Sequence, residues 1–162
     1  MQSINKSVRE YTAQLQQGQI QKAYKGIMTL MSSLKTWLES RHPDYAVSGL
    51  YPGYMDMTYF AFTPQVLKQR SLKVAIVYLH EQNRFEVWLG GANRKVQAET
   101  IERFTGKDLD GLTLSEVKPG VDSIVEMKLV EQPDFDHHEA LMLAIEDKLV
   151  EFTEKITKLL PK

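Results

Sequence analysis

The sequence predicts an α+β fold in which a mostly antiparallel five-stranded sheet is framed by helices at both ends of the chain. Three observations carry this. Both ends repeat apolar residues with the 3.6-residue period of an amphipathic helix. The middle holds strand-length stretches rich in Val, Ile, Tyr and Phe. Pro52-Gly53 and Glu81-Gln82-Asn83 separate successive stretches so closely that the strands must run antiparallel.

The elements follow in order. A short helix is expected from Asn5 to Gln16, ended by Gly18, a poor helix-interior residue. A second runs from Gln19 to Ser40, with Ile20, Ala23, Tyr24, Ile27, Met28, Leu30, Met31, Leu34, Trp37 and Leu38 as a wide apolar stripe. His42-Pro43 stops it, because a residue before proline avoids the helical region. Tyr45–Tyr51 and Tyr54–Phe62 read as a hairpin around Pro52-Gly53, the residues of a type II turn. Thr63-Pro64 reads as a cap and first position of a short helix reaching Arg70.

Leu72–His80 is apolar on both faces and so reads as a central strand. Arg84–Leu89 returns antiparallel, and Gly90-Gly91 ends it. Asn93 then caps a helix to Phe104. Thr105–Gly120 is a loop, Val121–Val130 the fifth strand, and His137–Leu160 a last helix. The order is α-α-β-β-β-β-α-β-α.

The length of 162 residues suits one domain spanning 1–162, with a self-sufficient core. A formal net charge of -1 argues against broad nucleic-acid binding or adhesion to an anionic membrane. The chain has no cysteine, which removes disulfides, thiolate catalysis and Cys-ligated metal. The start of the chain lacks the apolar core of a signal peptide, and no run is long enough to span a membrane. A cytoplasmic protein without membrane contact is expected.

The stretches Tyr54–Pro64, Leu72–Glu81 and Arg84–Lys95 together resemble a family of bacterial proteins of about this length that has no assigned function. The resemblance covers nearly the whole chain and implies a bacterial cytosolic origin. It implies no activity, ligand or catalytic residue.

Four constellations carry chemical interest. Gly90, Gly91, Asn93, Arg94 and Lys95 lead a strand into a helix start, where free N–H groups favour an anion. Arg94 and Lys95 are cations where the helix dipole disfavours them. Strand alternation sets Arg84, Glu86 and Trp88 on one side of their strand, and Glu126 and Lys128 on one side of theirs. If those sides coincide they form a polar face with a tryptophan, which Asp56 and Thr58 could join. Glu126-Met127-Lys128 has the E-x-K spacing of a metal-dependent phosphodiester hydrolase, with Asp122 or Asp110 as a second carboxylate. Asp134–Glu139 has ligand-type residues, but Asp136 and Glu139 have capping-box spacing and explain it structurally. His42 is isolated, and His80 reads as a solvated turn residue.

The sequence therefore supports a non-catalytic domain binding a small anionic ligand or a protein partner through the polar face and the Gly90–Lys95 helix start. Arg84, Glu86, Trp88, Gly90, Gly91, Asn93, Arg94 and Lys95 are its ligand-binding candidates, with no metal and no cofactor. The first alternative is the hydrolase, with Glu126, Lys128 and Asp122 as catalytic candidates. The second is a homodimer without a small ligand, joined through a hairpin edge or an outer helix. Catalysis stays undecided, leaning towards none.

Overall fold

The structure is a computed structural model that describes residues 3–161. Helix α1 spans Ile4–Gln16 and α2 Gln19–Arg41. Strands β1 (Ala46–Val47) and β2 (Met57–Thr63), the short helix α3 (Gln65–Lys68), β3 (Leu72–Leu79) and β4 (Arg84–Gly91) follow. Then come α4 (Arg94–Phe104), β5 (Thr113–Leu114), β6 (Ser123–Glu131) and α5 (His138–Leu159). The class is the expected α+β. The sheet has six strands in the order β1-β2-β3-β4-β6-β5, and every neighbouring pair is antiparallel. The added strand is β5, two residues inside the expected 105–120 loop. So short a strand leaves no periodic signal.

One face of the sheet is covered. Phe60, Phe62, Val74, Ile76, Tyr78, Phe85, Val87 and Leu89 point into a continuous apolar cluster. Leu30, Met31, Leu34 and Leu38 of α2 meet them there, with Ile101 and Phe104 of α4 and Leu141, Ile145, Leu149, Phe152 and Ile156 of α5. Burial of such side chains is the main force holding the layers together, about 1.5–3 kcal/mol for each. The first turns of α2 take no part, and its contact with the cluster begins at Ile27. Ile20 and Ala23 are exposed, so the stripe read along its whole length is half used.

Several boundaries shift for physical reasons. The first strand shrinks from Tyr45–Tyr51 to Ala46–Val47, with an outlying bridge between Tyr51 and Tyr59. The loop between them contains the expected left-handed glycine, Gly53, at φ 73°. A side chain there would strike the Met57 carbonyl oxygen. Thr63 does not cap α3. It is the last residue of β2, and its Oγ1 accepts the Val74 N–H at 3.1 Å. Gly90 and Gly91 are the last two residues of β4, paired with Lys73 and Leu72, so the strand ends at Gly91 and not before the glycines. The capping box at Asp136 is absent, because His137 is the N-cap of α5. Asp134 instead accepts the Asp136 N–H at 3.0 Å and faces the His137 ring at 2.7 Å.

His42, far from isolated, ends α2 inside an ionic knot. The Glu146 carboxylate on α5 is nearly buried, with Arg41 Nε at 2.7 Å and His42 Nε2 at 3.0 Å. Arg41 also lies over the Trp37 ring, 4.7 Å from its centroid. Burial pushes the Glu146 carboxyl upward, but hydrogen bonds and charge from Arg41 and His42 outweigh it and hold it below the usual glutamate range.

A depressed folded-state pKa stabilises the fold above the unfolded value and is lost below it. The contribution of Glu146 should therefore be flat above about pH 4.3, the ordinary glutamate value, and be lost as the pH drops further. Glu146→Gln should lose about 1–3 kcal/mol at pH 7 and show a shallower acid limb. Urea titrations from pH 7 to 3 measure both, and an unchanged acid limb would contradict the role given to Glu146.

Candidate functional site

Among the described residues, no helix packs on the other face of the sheet. Alternation along each strand sorts its side chains into rows across the register. Tyr59, Val77, Glu86 and Lys128 form one row, and Ala61, Ala75, Trp88, Glu126 and Thr113 the next. Lys73, Gly90 and Ser123 form a third. The two polar sides inferred from sequence thus share a single face. Asp56 and Thr58 do not join it. Thr58 pairs with Tyr78 and is fully buried on the covered face, while Met57 and Tyr59 take the open one. Sequence alternation gives the two sides of a strand but not which side meets the core.

Arg84, Glu86 and Trp88 lie along β4 as a hydrogen-bonded strip. Glu86 accepts from Arg84 Nε at 2.5 Å and from Trp88 Nε1 at 2.8 Å. It is only 4% exposed although no helix covers it. A carboxylate removed from water costs several kcal/mol unless it is paired and hydrogen-bonded, and these two neighbours supply both. The indole N–H is thereby committed to Glu86, which fixes the ring.

Beside Trp88 lies a recess of about 190 Å³. Met57, Tyr59, Ala75, Val77 and Trp88 give it an apolar lining, with Gly90 and Gly91 on its β4 side. Lys73, Asp122 and Ser123 are its polar members. It exists because two of its strand positions are small. Ala75 pairs with Trp88 and Gly90 with Lys73, so large residues face small ones.

The two glycines have different causes. A side chain on Gly91 would come within 2.8 Å of the Gln97 amide nitrogen, so glycine lets α4 start directly against β4. At Gly90 a Cβ would meet only the Asp122 carbonyl oxygen, at 3.6 Å, and the backbone is not left-handed. Neither packing nor φ requires glycine at 90, and its missing side chain keeps the recess open.

The helix start is occupied by structural bonds. Asn93 Oδ1 accepts the Val96 N–H at 2.9 Å, as a cap should. Arg94 donates to Gln97 Oε1 at 2.9 Å, to the Val121 carbonyl, and to the Asp122 carboxylate at 3.0 Å. Gln97, buried, donates to the Val121 and Ser123 carbonyls at 2.8 and 3.1 Å. The cation that looked misplaced against the helix dipole ties α4 to the segment entering β6. Lys95 is exposed and does not line the recess.

The catalytic candidates are likewise engaged. Glu126 accepts from Ser123 Oγ at 2.5 Å, and Ser123 shares a 2.6 Å hydrogen bond with Ser115. Lys128 pairs with Glu131 at 2.8 Å and Asp122 with Arg94. Asp110 faces Lys155 of α5 at 3.8 Å. Among the described residues no three His, Asp or Glu side chains are grouped to hold a metal ion. Arg84, Glu86, Glu126 and Lys128 do line one small hollow, on the β5 side of the face.

His80 is half-buried and not a free turn residue. Its Nε2 lies 2.8 Å from Thr58 Oγ1, whose hydroxyl donates to the Pro52 carbonyl at 2.7 Å, so the histidine nitrogen is the donor. Burial holds its pKa below the usual histidine range, against a weaker opposing pull from Asp56. The pair fastens the 48–56 loop.

Lys73, Ala75, Val77, Met57 and Tyr59 were not among the sequence candidates. Their shared property, small residues opposite large ones on one face, exists only once the register is known. A family model described as a domain of unknown function (DUF7000) matches residues 4–160, and the chain belongs to that family. Comparison with curated proteins and with solved structures gives no match. No helix among the described residues is long and apolar enough to cross a membrane.

Gly90→Ala should leave stability unchanged or raise it by up to about 1 kcal/mol, because a strand glycine gains from a side chain that fits. Gly91→Ala should cost about 1–3 kcal/mol through overpacking against α4. Paired thermal melts decide this, and equal losses in both variants would refute the distinction.

Proposed function

We propose that the chain works as a single non-catalytic domain that binds a small anionic ligand in the recess on the open face of the sheet. Gly90 carries this reading, as the second-last residue of β4 and a strand glycine that neither backbone conformation nor packing demands and that keeps a concave floor clear. The volume supports a ring-sized ligand, since a cavity of about 150 Å³ accommodates benzene. Trp88 and Tyr59 offer apolar ring surface to a flat group. Lys73 supports an anion: it is exposed at the rim and takes no part in the ion pairs among the described residues.

This moves the anion site from where the sequence suggested it. Arg94 is spent on Val121, Gln97 and Asp122, and Asn93 on its cap. The hydrolase alternative draws no comparable support, because Glu126 and Lys128 are bonded to Ser123 and Glu131. The same reading sets the domain in a bacterial cytoplasm, in keeping with a chain that has no cysteine.

A thermal-shift screen of small aromatic carboxylates, sulfonates and nucleotides, followed by calorimetry, tests it. Ligands should stabilise the wild type and lose that effect in Ala75→Leu, which fills the recess from a half-exposed position. Lys73→Gln should weaken anionic ligands about tenfold, the size of one charge-assisted hydrogen bond. Ligands that bind Ala75→Leu as tightly as the wild type would refute the assignment.

A further inference from the structure

Helix α1 stands apart from the core. None of its 13 residues is buried, and Ile4, Val8 and Tyr11 are 74%, 50% and 56% exposed. A lone helix of that length is marginal in water even with good formers. Ser3 nevertheless caps it, its Oγ accepting the Asn5 N–H at 3.2 Å. Gly18, in the left-handed region at φ 80°, turns the chain into α2.

The apolar residues of α1 are ordered. Ile4, Val8, Tyr11 and Leu15 are spaced four, three and four apart, the a/d seam of a coiled coil. Lys6, Arg9 and Glu10 fall on the opposite side of the helix. Asn5, Ser7, Thr12 and Gln14 flank the seam, and none is charged.

We propose that α1 is a self-association surface on which two copies of this chain pair antiparallel about a twofold axis. Three features select a second copy over other occupants. A four-three-four spacing reads the same in both directions, so an antiparallel pair sets Ile4 against the partner's Leu15 and Val8 against the partner's Tyr11. Neutral flanks let identical surfaces meet without like-charge repulsion. A membrane-surface helix would carry Lys and Arg along its polar face, whereas α1 has one acidic residue beside two basic ones and only uncharged residues flanking its seam.

The expected size of contact agrees. A 13-residue helix is about 20 Å long, too short to reach alone the ~1,200 Å² of a stable interface. The exposed stripe continues past Gly18 onto α2 through Ile20, 37% exposed, and Ala23. Each copy then contributes two helices, and the contact is a small four-helix bundle. Such a dimer leaves the open sheet face and its recess free, so it is independent of the ligand reading.

Sedimentation velocity on the full chain from about 1 to 100 μM brackets a micromolar dissociation constant. Twice the 18.6 kDa of the chain is expected at the upper end. Val8→Asp should return the mass to 18.6 kDa with an unchanged melting temperature, because Val8 is exposed and no residue of α1 is buried. The chain has no cysteine, so pairing can be read by disulfide trapping. A mixture of Val8→Cys and Tyr11→Cys should form the mixed disulfide ahead of either symmetric one. Wild type that stays monomeric throughout the range overturns the proposal. So does a dimer that survives Val8→Asp, or a monomer whose α1 instead binds phosphatidylglycerol vesicles.

Discussion

The uncovered face of the sheet depends on the Glu86 carboxylate. A sheet with helices on one side must present its other side to water, and here that side contains Trp88, Val77, Tyr59 and Met57. Left loose, such residues collapse on one another. Glu86 prevents this at the centre by accepting from Arg84 and Trp88 along its own strand. The three side chains are tied together along β4, and the recess lies beside Trp88 at Ala75 and Gly90. Removing Glu86 would free the indole, and the recess would have no fixed wall.

The covered face solves the opposite problem. Its apolar cluster binds the sheet to α2, α4 and α5 without directional help, but their register needs polar fasteners. Glu146 locks the end of α2 to α5, and Arg94 with Gln97 locks α4 to the start of β6. Burial would otherwise leave the Glu146 carboxylate and the Ser123 carbonyl, which accepts from Gln97, unsatisfied. The residues that looked most like ligand binders in sequence, Arg94 and Asn93, turn out to be among those fasteners.

Local patterns were legible wherever a short stretch settles its own conformation. Asn93 as a cap, Gly53 with positive φ, the stop at His42-Pro43 and the central position of Leu72–Leu79 all follow from neighbouring residues. What required the third dimension was cross-strand. Thr58 goes inward because it pairs with Tyr78, and Thr63 serves Val74 instead of a helix. β5 forms only because β6 offers it an edge at Glu126 and Val125. The candidate site divides in the same way. Trp88, Gly90 and Gly91 were named from sequence, while Lys73, Ala75 and Tyr59 became site residues only through their strand partners.

The recess needs a wall that is fixed before any ligand arrives. The chain has two tryptophans, so its nitrogen–proton NMR spectrum holds two indole N–H signals. Hydrogen exchange of these signals in the ligand-free protein is the most direct measurement. The Trp88 indole N–H should exchange slowly, held by Glu86, while that of Trp37 exchanges fast. Equal, fast exchange of both would mean that Trp88 is free to move, and the preformed recess would not exist.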